Sequence, residues 1–241
     1  MIDLTRFPIS NVAHSADVSR WHSVATVYKQ SLAAHSHLVT LYSRYLAAVI
    51  APQMSASELL LLLETAMWHD MPETKTGDMS TPLKRSIERH YPKGESPLDK
   101  LEMQLCPPYA ELKTAVKGTY IEVIVKLADI MDAIHYINMA GVGRASKRIY
   151  RERHSAFESY VRLGVGNWPE YNWLAAEAVL DDLLHGEPDT LDFEELFEAV
   201  GERESRSMAQ WMKDHNLDSI GIRRKKSGLS RWAARKLRWI F

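Results

Sequence analysis

The chain has 241 residues, of which 46% are hydrophobic and 25% are charged, the composition of an ordinary globular protein with a substantial core. A single cysteine, Cys106, excludes an intramolecular disulfide and a cysteine-rich zinc cluster. No apolar stretch approaches the roughly 20 residues needed to span a bilayer, and the N-terminus lacks a signal-peptide pattern, so we expect a cytoplasmic protein.

Two helices are predicted in the N-terminal part of the chain. Residues 32–50 place apolar side chains on one helical stripe. The second helix begins after Ser55 or Ser57, either of which can cap it, and has Glu58 in its first turn. It runs to about His69.

The next segment contains a turn and several prolines. Pro72 and Gly77 predict the turn, and Thr81-Pro82 indicates a helix that starts near Leu83. Beyond this helix, a short and irregular stretch is predicted by Pro92, Pro97, Pro107 and Pro108.

The remaining sequence is again helical in pattern. A long helix is predicted from about Tyr109 to Asn138, ending near Gly141. Further helical patterns cover about 144–163, 170–184 and 192–215. Strand signals are nearly absent, so the sequence predicts an all-α protein.

Charge is distributed unevenly along the chain. Residues 219–241 contain eight Lys or Arg and no Asp or Glu, and because the whole chain has a net charge of −1, the preceding residues carry about −9. We predict a core of residues 1–185 and a C-terminal helical extension of residues 186–241, made of an accessory helix and this basic tail.

Possible metal ligands and acids follow the most apolar helix, in the segment MWHDMPETKTGDMSTPLK at residues 67–84. Glu73 and Asp78 come within nine residues of the doublet His69-Asp70. Neighbouring side chains on a helix point about 100° apart, so one ion can bind both members of the doublet only where the helix ends. Pro72 supplies that end.

Further ligands have to come from helices packed alongside. His35 lies on the apolar stripe of the first helix, where it could also be an ordinary core histidine. Asp129 lies in the apolar segment VKLADIMDA, where an unpaired carboxylate is costly to bury and could instead pair with Lys126 or Arg20. A mixed nitrogen and oxygen ligand set that suits one divalent transition metal is formed by His35, His69, Asp70 and Asp129.

The order of these ligands resembles the HD-domain phosphohydrolase superfamily. More narrowly, it resembles the HD-domain 5′-deoxyribonucleotidases and the related phage deoxynucleoside triphosphohydrolases. In that subgroup an Arg-Trp pair precedes the first ligand histidine by about fifteen residues, and Arg20-Trp21 stand at that distance from His35. The subgroup also has a Glu and a Gly-Asp after the doublet, matched here by Glu73 and Gly77-Asp78 and followed by Thr81-Pro82. The resemblance implies an HD-domain helical bundle.

One position departs from the pattern of the similar enzymes. They commonly have an acidic residue directly before the first ligand histidine, and here Ala34 stands in that place. The departure leaves open what supports His35, and it makes His37 a competing ligand. Helical phase favours His35, because His35 shares the apolar stripe and His37 lies about two residues off it.

The resemblance implies a role for each remaining residue. Arg20 would offer a rigid fork of donors to a phosphate. Trp21 would pack against the sugar where a 2′-hydroxyl would sit, which selects deoxyribose. Glu73 or Asp78 would orient a water molecule or protonate the leaving oxygen. Lys84 is not part of the resemblance, but its position near Asp78, at the start of the next helix, would let it reach a second or third phosphate.

The resemblance therefore implies an enzyme that hydrolyses phosphate esters of deoxyribonucleotides with one divalent ion, Co, Mn, Zn or Mg. Either a dNMP 5′-nucleotidase or a dNTP phosphohydrolase is possible, and a dATP-type enzyme that releases triphosphate is the specific alternative. The similar enzymes are often dimers or larger, so we expect a homo-oligomer. Cations that a triphosphate would require are available at Lys84, Lys126, Arg144 and Lys147.

A non-catalytic alternative is a helical module with a structural metal site, whose basic tail binds nucleic acid. A structural site needs no acid or base beyond its ligands, so the presence of Glu73 and Asp78 favours the enzyme. The tail has an amphipathic cationic pattern that could contact nucleic acid or a membrane surface. We favour a solvated helix, or one docked on an acidic body, because the tail lies outside residues 15–140, which carry the resemblance.

Overall fold

The computed structural model of the protein describes residues 2–92 and 96–186. A short 3-10 helix, Leu4–Arg6, comes first, and β pairing in this part of the chain is limited to the isolated bridges Ser19–Ser31 and Thr26–Gly141. The all-α prediction is confirmed. The α-helices are, in chain order, α1 (Ile9–His14), α2 (Leu32–Ile50), α3 (Ala56–Trp68), α4 (Glu73–Thr76), α5 (Thr81–Glu88), α6 (Pro97–Leu105), α7 (Pro107–Val116), α8 (Tyr120–Ala140), α9 (Gly143–Asn167) and α10 (Ala175–His185).

The centre of the fold is α8, which packs against α2, α3, α7, α9 and α10. Its side chains are buried around almost the whole circumference, as is typical of a core helix. Polar groups on such a helix must find partners on the helices around it. The two carboxylates in its middle, Asp129 and Asp132, are therefore placed to interact with several other elements.

Several predicted boundaries are confirmed. The bounds of α2 are those predicted, and α3 begins after Ser55, whose side chain forms a reciprocal capping box with Glu58. The last residue of α3 is Trp68, and His69 is its C-cap. The doublet His69-Asp70 therefore lies where a helix ends, as the proline at position 72 predicts.

Two predictions for the middle of the chain were wrong. The proline-containing stretch is not irregular, because Pro97 begins α6 and Pro107 begins α7, in first-turn positions where the missing N–H breaks no helical hydrogen bond. The long helix expected over residues 109–138 is interrupted at Gly118, which has a φ of 71°. This left-handed conformation suits glycine and separates α7 from α8.

The helices predicted at 144–163 and 170–184 are present as α9 and α10, and their observed bounds differ from the predicted ones by a few residues. The described compact unit ends at Gly186. The predicted helix at 192–215 and the basic tail lie outside the described residues, so the division at residue 185 stays a prediction. Within the described ranges, no helix has the length and apolar character required to cross a bilayer.

Candidate active site

Three of the predicted metal ligands converge where α2, the end of α3 and α8 meet. The Nε2 atom of His35 lies 3.1 Å from Nε2 of His69 and 3.6 Å from Oδ1 of Asp129. One ligand atom from each of the three residues lies within 4.8 Å of the other two. His35 is fully buried, whereas the side chains of His69 and Asp129 are 12% and 15% exposed, so solvent reaches the cluster at these two residues. Two imidazole nitrogens and a carboxylate form a donor set that fits a divalent transition metal.

The fourth predicted ligand, Asp70, adjoins this cluster and also pairs with Arg20. Its Oδ2 atom lies 3.3 Å from Nε2 of His35 and 3.4 Å from Nε2 of His69. The same oxygen accepts a hydrogen bond from the Arg20 guanidinium. Burial raises the pKa of this carboxyl, but His69, His35 and Arg20 outweigh burial and hold the pKa well below its usual range. Asp70 is therefore a carboxylate shared between the ligand cluster and the arginine.

Arg20 keeps donor capacity beyond this ion pair. Its side chain is 11% exposed, and its Nε atom is buried without a hydrogen-bond partner among the described residues. Burial lowers the pKa of Arg20, but Asp70, Asp129 and other nearby carboxylates raise it further, so the guanidinium stays charged. A buried guanidinium with an unused N–H is suited to hold an anion.

Asp129 pairs with Lys126, three residues earlier on α8, with 2.7 Å between Nζ and Oδ2. Burial raises the pKa of this carboxyl, but Lys126 and the imidazoles of His35 and His69 outweigh burial and hold the pKa well below its usual range. The lysine engages one oxygen, and the other faces the histidines. The two predictions for Asp129, a buried acid paired with Lys126 and a member of the ligand cluster, are compatible.

The far side of His35 is held by a carboxylate that the sequence analysis missed. Nδ1 of His35 lies 2.6 Å from Oδ2 of Asp132, which is three residues after Asp129 on α8. Burial lowers the pKa of His35, but hydrogen bonds to Asp132 and Asp70 outweigh it, and the pKa lies above its ordinary value. A second aspartate in the mostly apolar middle of α8 was the signal available in the sequence. His37 is exposed, as helical phase predicts.

His69 has a different support from that of His35. Its Nδ1 atom lies 2.7 Å from the backbone oxygen of Ala66, so Nδ1–H donates to this carbonyl and Nε2 faces the cluster. Burial is the main cause that lowers the pKa of His69, which favours the neutral form of the ring. A neutral imidazole with its Nδ1 proton engaged is the form that ligates metals.

Trp21 follows Arg20 in the chain, and its position is fixed at both backbone and ring. Its φ of 61° is in the left-handed region, which tryptophan rarely adopts, and its N–H donates to Oδ2 of Asp78 over 3.1 Å. The indole N–H donates to Oε1 of Gln30 over 3.1 Å, and the ring stacks on Tyr136 with centroids 5.4 Å apart. Asp78 thus holds the Trp21 backbone, and its predicted catalytic role stays a prediction.

Glu73 begins α4 and is 3% exposed. Its Oε1 accepts a hydrogen bond from Nζ of Lys84 over 2.8 Å, and its Oε2 is buried without a partner in the part of the chain that the structure describes. Burial and Asp70 raise the pKa of Glu73 to about 8, against the opposite influence of Lys84. A carboxyl group that keeps a proton near neutral pH can serve as a general acid. Nζ of Lys84 also lies 3.5 Å from Oε1 of Glu102 on α6.

Sequence comparison identifies relatives that align with more than half of the chain. Residues 10–158 match the sequence model of the family described as 5′-deoxynucleotidase YfbR-like. A dATP triphosphohydrolase of Acinetobacter phage SH-Ab 15497 is 32% identical over 199 residues, which cover 78% of this chain and 96% of the relative. A dATP triphosphohydrolase of Salmonella phage PMBT28 is 29% identical over 156 residues, covering 63% and 76%.

A solved structure supports the fold independently. The HD phosphohydrolase DatZ of cyanophage S-2L, solved with dA and one catalytic Zn²⁺ ion, has a TM-score of 0.59 to this chain at 23% identity, covering 75% of this chain and 98% of DatZ. This similarity confirms the HD-domain helical bundle. The matched family model covers more than half of the chain, in agreement with the resemblance carried by the ligand order. The chain therefore belongs to the YfbR-like 5′-deoxynucleotidase family of HD-domain phosphohydrolases, and it is a deoxynucleotide hydrolase.

Proposed function

We propose that this protein is a divalent-metal-dependent hydrolase of deoxynucleoside triphosphates, with dATP as its substrate. The observation that carries the proposal is the cluster of His35, His69 and Asp129, with the Asp70–Arg20 ion pair beside it. The dATP triphosphohydrolase from the Acinetobacter phage, which this chain matches over 96% of its length, supports a triphosphate substrate. The second candidate is a dNMP 5′-nucleotidase, which the description of the family favours. Assays of dNMPs and dNTPs with each of Co²⁺, Mn²⁺, Zn²⁺ and Mg²⁺ distinguish the two.

We assign one divalent ion to His35, His69, Asp70 and Asp129. A bound ion there would supply a Lewis acid that neutralises phosphate charge and lowers the pKa of water. The side chains of this site are in the form that binds a metal. The pKa values of the two carboxyl groups are lowered, so both are ionised, and the Nδ1 atoms of His35 and His69 are hydrogen-bonded to Asp132 and to the backbone oxygen of Ala66. Both Nε2 atoms can therefore act as electron-pair donors.

Arg20 and Glu73 supply the remaining chemistry in this proposal. The Nε–H of Arg20 has no protein acceptor among the described residues and would bind a phosphate oxygen. Hydrolysis replaces the bond from the 5′-oxygen to phosphorus with a bond from water, and the departing 5′-oxygen requires a proton. Glu73, whose pKa is raised to about 8, holds a proton that it can transfer.

Trp21 is expected to select deoxyribose. An indole face against C2′ offers no partner to a hydroxyl, so a ribonucleotide would bury an unsatisfied polar group at a cost of about 1–3 kcal/mol. This corresponds to a preference for dATP over ATP of roughly ten- to a hundredfold in kcat/KM. Trp21→Ala should reduce the preference and leave the bound metal in place. Equal kcat/KM values for dATP and ATP in the unmodified protein would remove Trp21 from this role.

Lys84 is expected to matter more for a triphosphate than for a monophosphate. Its ammonium group contacts Glu73, and its side chain is 29% exposed, so a polyphosphate chain could reach it. Lys84→Met should raise the KM for dATP by about tenfold, the effect of one lost charged hydrogen bond, and change the KM for dAMP much less. Lys113→Met is the matched control, because Lys113 pairs with Asp99 and Glu102 and not with Glu73. Equal changes for both nucleotides would indicate that Lys84 acts only through Glu73.

The homo-oligomer expected from the similar enzymes is supported by exposed apolar side chains. Leu41 and Tyr45 are four residues apart on α2, and Leu60 and Met67 are seven apart on α3, so each pair shares a helical face. Burying such side chains against a second copy would remove apolar surface from water. We also propose a cytoplasmic location and a core that ends near residue 185.

A further inference from the structure

A buried hydrogen-bond chain joins Trp21 to the metal ligand His35. The indole N–H of Trp21 donates to Oε1 of Gln30 over 3.1 Å. Nε2 of Gln30 donates to the two carboxylate oxygens of Asp132 over 2.9 and 3.1 Å, and Oδ2 of Asp132 lies 2.6 Å from Nδ1 of His35. Gln30 is 6% exposed, and Asp132 and His35 are buried still further, so water does not compete for these bonds.

Gln30 also fixes the backbone before α2. Its carbonyl accepts the N–H of Arg20 over 2.8 Å, next to the bridge between Ser19 and Ser31. One residue thus contacts the backbone of Arg20, the ring of Trp21 and, through Asp132, the ligand His35. These three residues are the ones to which phosphate binding, sugar selection and metal ligation are assigned.

We propose that Gln30 is a positioning residue that holds the sugar-selecting tryptophan and the metal ligand His35 in a fixed relation. The proposal rests on the proposed function, since it assigns Trp21 and His35 the roles given above. It adds a residue that lies outside the family pattern of ligands, Arg-Trp pair and acids. A change at Gln30 is therefore expected to affect two properties that different residues supply.

The primary amide is the group that these partners require. Its NH₂ nitrogen lies within hydrogen-bond distance of both oxygens of Asp132, which as a carboxylate only accepts, and its oxygen accepts from an indole that only donates. An apolar side chain would leave Asp132 short of donors and the indole N–H without an acceptor, at a site too buried for water to replace either. Held in this way, Asp132 keeps the proton of His35 on Nδ1 and leaves Nε2 directed at the cluster.

The arrangement also accounts for Ala34. In the similar enzymes an acidic residue commonly precedes the first ligand histidine, but Ala34 is exposed in this structure. Here the acceptor for His35 comes from α8, as Asp132, and Gln30 supplies the donors that this buried carboxylate needs. Gln30 and Asp132 together support His35, which has no acidic residue directly before it in this sequence.

The test uses Gln30→Met in the full-length protein, because methionine has a similar shape and makes none of the three hydrogen bonds. Calorimetric titration of Zn²⁺ into the metal-free protein measures the effect of the substitution on metal binding through His35. The ratio of kcat/KM for dATP to that for ATP measures its effect on sugar selection by Trp21. We expect Zn²⁺ affinity to fall about 10- to 100-fold, as for other losses of support to a ligand histidine, and the ratio to fall several-fold. Wild-type values for both, whatever the melting temperature, would overturn the proposal.

Two further variants separate the effect of Gln30 on His35 from its effect on Trp21. Gln30→Glu keeps an acceptor for Trp21 but sets a carboxyl against Asp132, so it should weaken Zn²⁺ binding more than it lowers the dATP-to-ATP ratio. Trp21→Phe keeps a ring that can stack on Tyr136 but loses the indole N–H, so it should lower the ratio and keep Zn²⁺ affinity within about twofold. The proposal would be contradicted if Gln30→Glu lowered only the dATP-to-ATP ratio and Trp21→Phe lowered only Zn²⁺ affinity. If Gln30→Met does not fold, Gln30→Glu decides the test, and wild-type Zn²⁺ affinity in that variant would contradict the proposal.

Trp173→Phe is the matched control for the loss of an indole N–H. Trp173 is buried and donates its Nε1–H to the backbone oxygen of Trp168 over 2.8 Å, outside the active site. The Trp173→Phe variant should keep the wild-type Zn²⁺ affinity and the wild-type dATP-to-ATP ratio of kcat/KM. Zn²⁺ affinity does not depend on turnover, so a wild-type protein that fails to hydrolyse dATP would contradict the proposed function and leave this measurement valid. Active wild-type protein with an unaffected Gln30→Met variant would contradict the role of Gln30 alone.

Discussion

Replacing Asp129 with alanine is expected to abolish both metal binding and hydrolysis. Asp129 contributes an ionised carboxylate to a cluster whose other two members are imidazoles, and the shared carboxylate of Asp70 lies beside that cluster. Removing one ligand breaks the coordination set, and it also leaves the ammonium group of Lys126 without its counter-ion. Metal content measured by elemental analysis, together with turnover of dATP, checks this outcome.

Glu122→Ala is the control for the alanine substitution. Glu122 lies on the same helix but is exposed, near the N-terminus of α8. Metal content and activity should be retained in that variant. A metal-free Asp129→Ala protein with full activity would show that the cluster is not the catalytic metal site.

Glu73→Gln is expected to lower turnover by ~10²-fold or more, the usual effect of removing a general acid or base. Glutamine has the same size and can still accept from Lys84, so bound metal and the KM for dATP should change little. Glu102→Gln is the control, because Glu102 also contacts Lys84 and is not part of the ligand cluster. Nearly unchanged turnover in Glu73→Gln would assign the proton transfer elsewhere, with Asp78 the remaining predicted acid.

The pH dependence of turnover should reflect the titration of Glu73. Burial raises the pKa of Glu73 to about 8 in the metal-free protein, so its acid form predominates below that pH. A nearby cation favours the carboxylate and moves the pKa downward. Turnover that requires the acid form should therefore decline on the alkaline side, at or below pH 8, and Glu73→Gln should lack this decline.

The residues that we propose as metal ligands could be recognised in the sequence because local patterns mark them. The apolar stripe of α2 distinguishes His35 from His37, and a helix end at the HD doublet follows from the proline two residues later. An aspartate in an apolar helix needs partners, which marked Asp129. The outline of the cluster follows from these facts together with the order typical of the family.

The supports of the cluster could not be predicted, because they depend on contacts between distant segments. Asp132 reaches His35 only when α8 packs against α2, and Gln30 lies in a segment without helical periodicity. The left-handed backbone of Trp21, held by Asp78, also depends on such a contact. The break at Gly118 was missed because the apolar pattern continues on both sides of it.

The most direct test of the proposed activity is identification of the products that the metal-loaded protein forms from dATP. Phosphorus NMR combined with chromatography of the nucleoside separates tripolyphosphate, pyrophosphate and phosphate, and it separates deoxyadenosine from dADP and dAMP. A dATP triphosphohydrolase forms deoxyadenosine and tripolyphosphate in equal amounts. Release of phosphate from dAMP with dATP left intact would instead identify a 5′-nucleotidase and contradict the proposed triphosphate substrate.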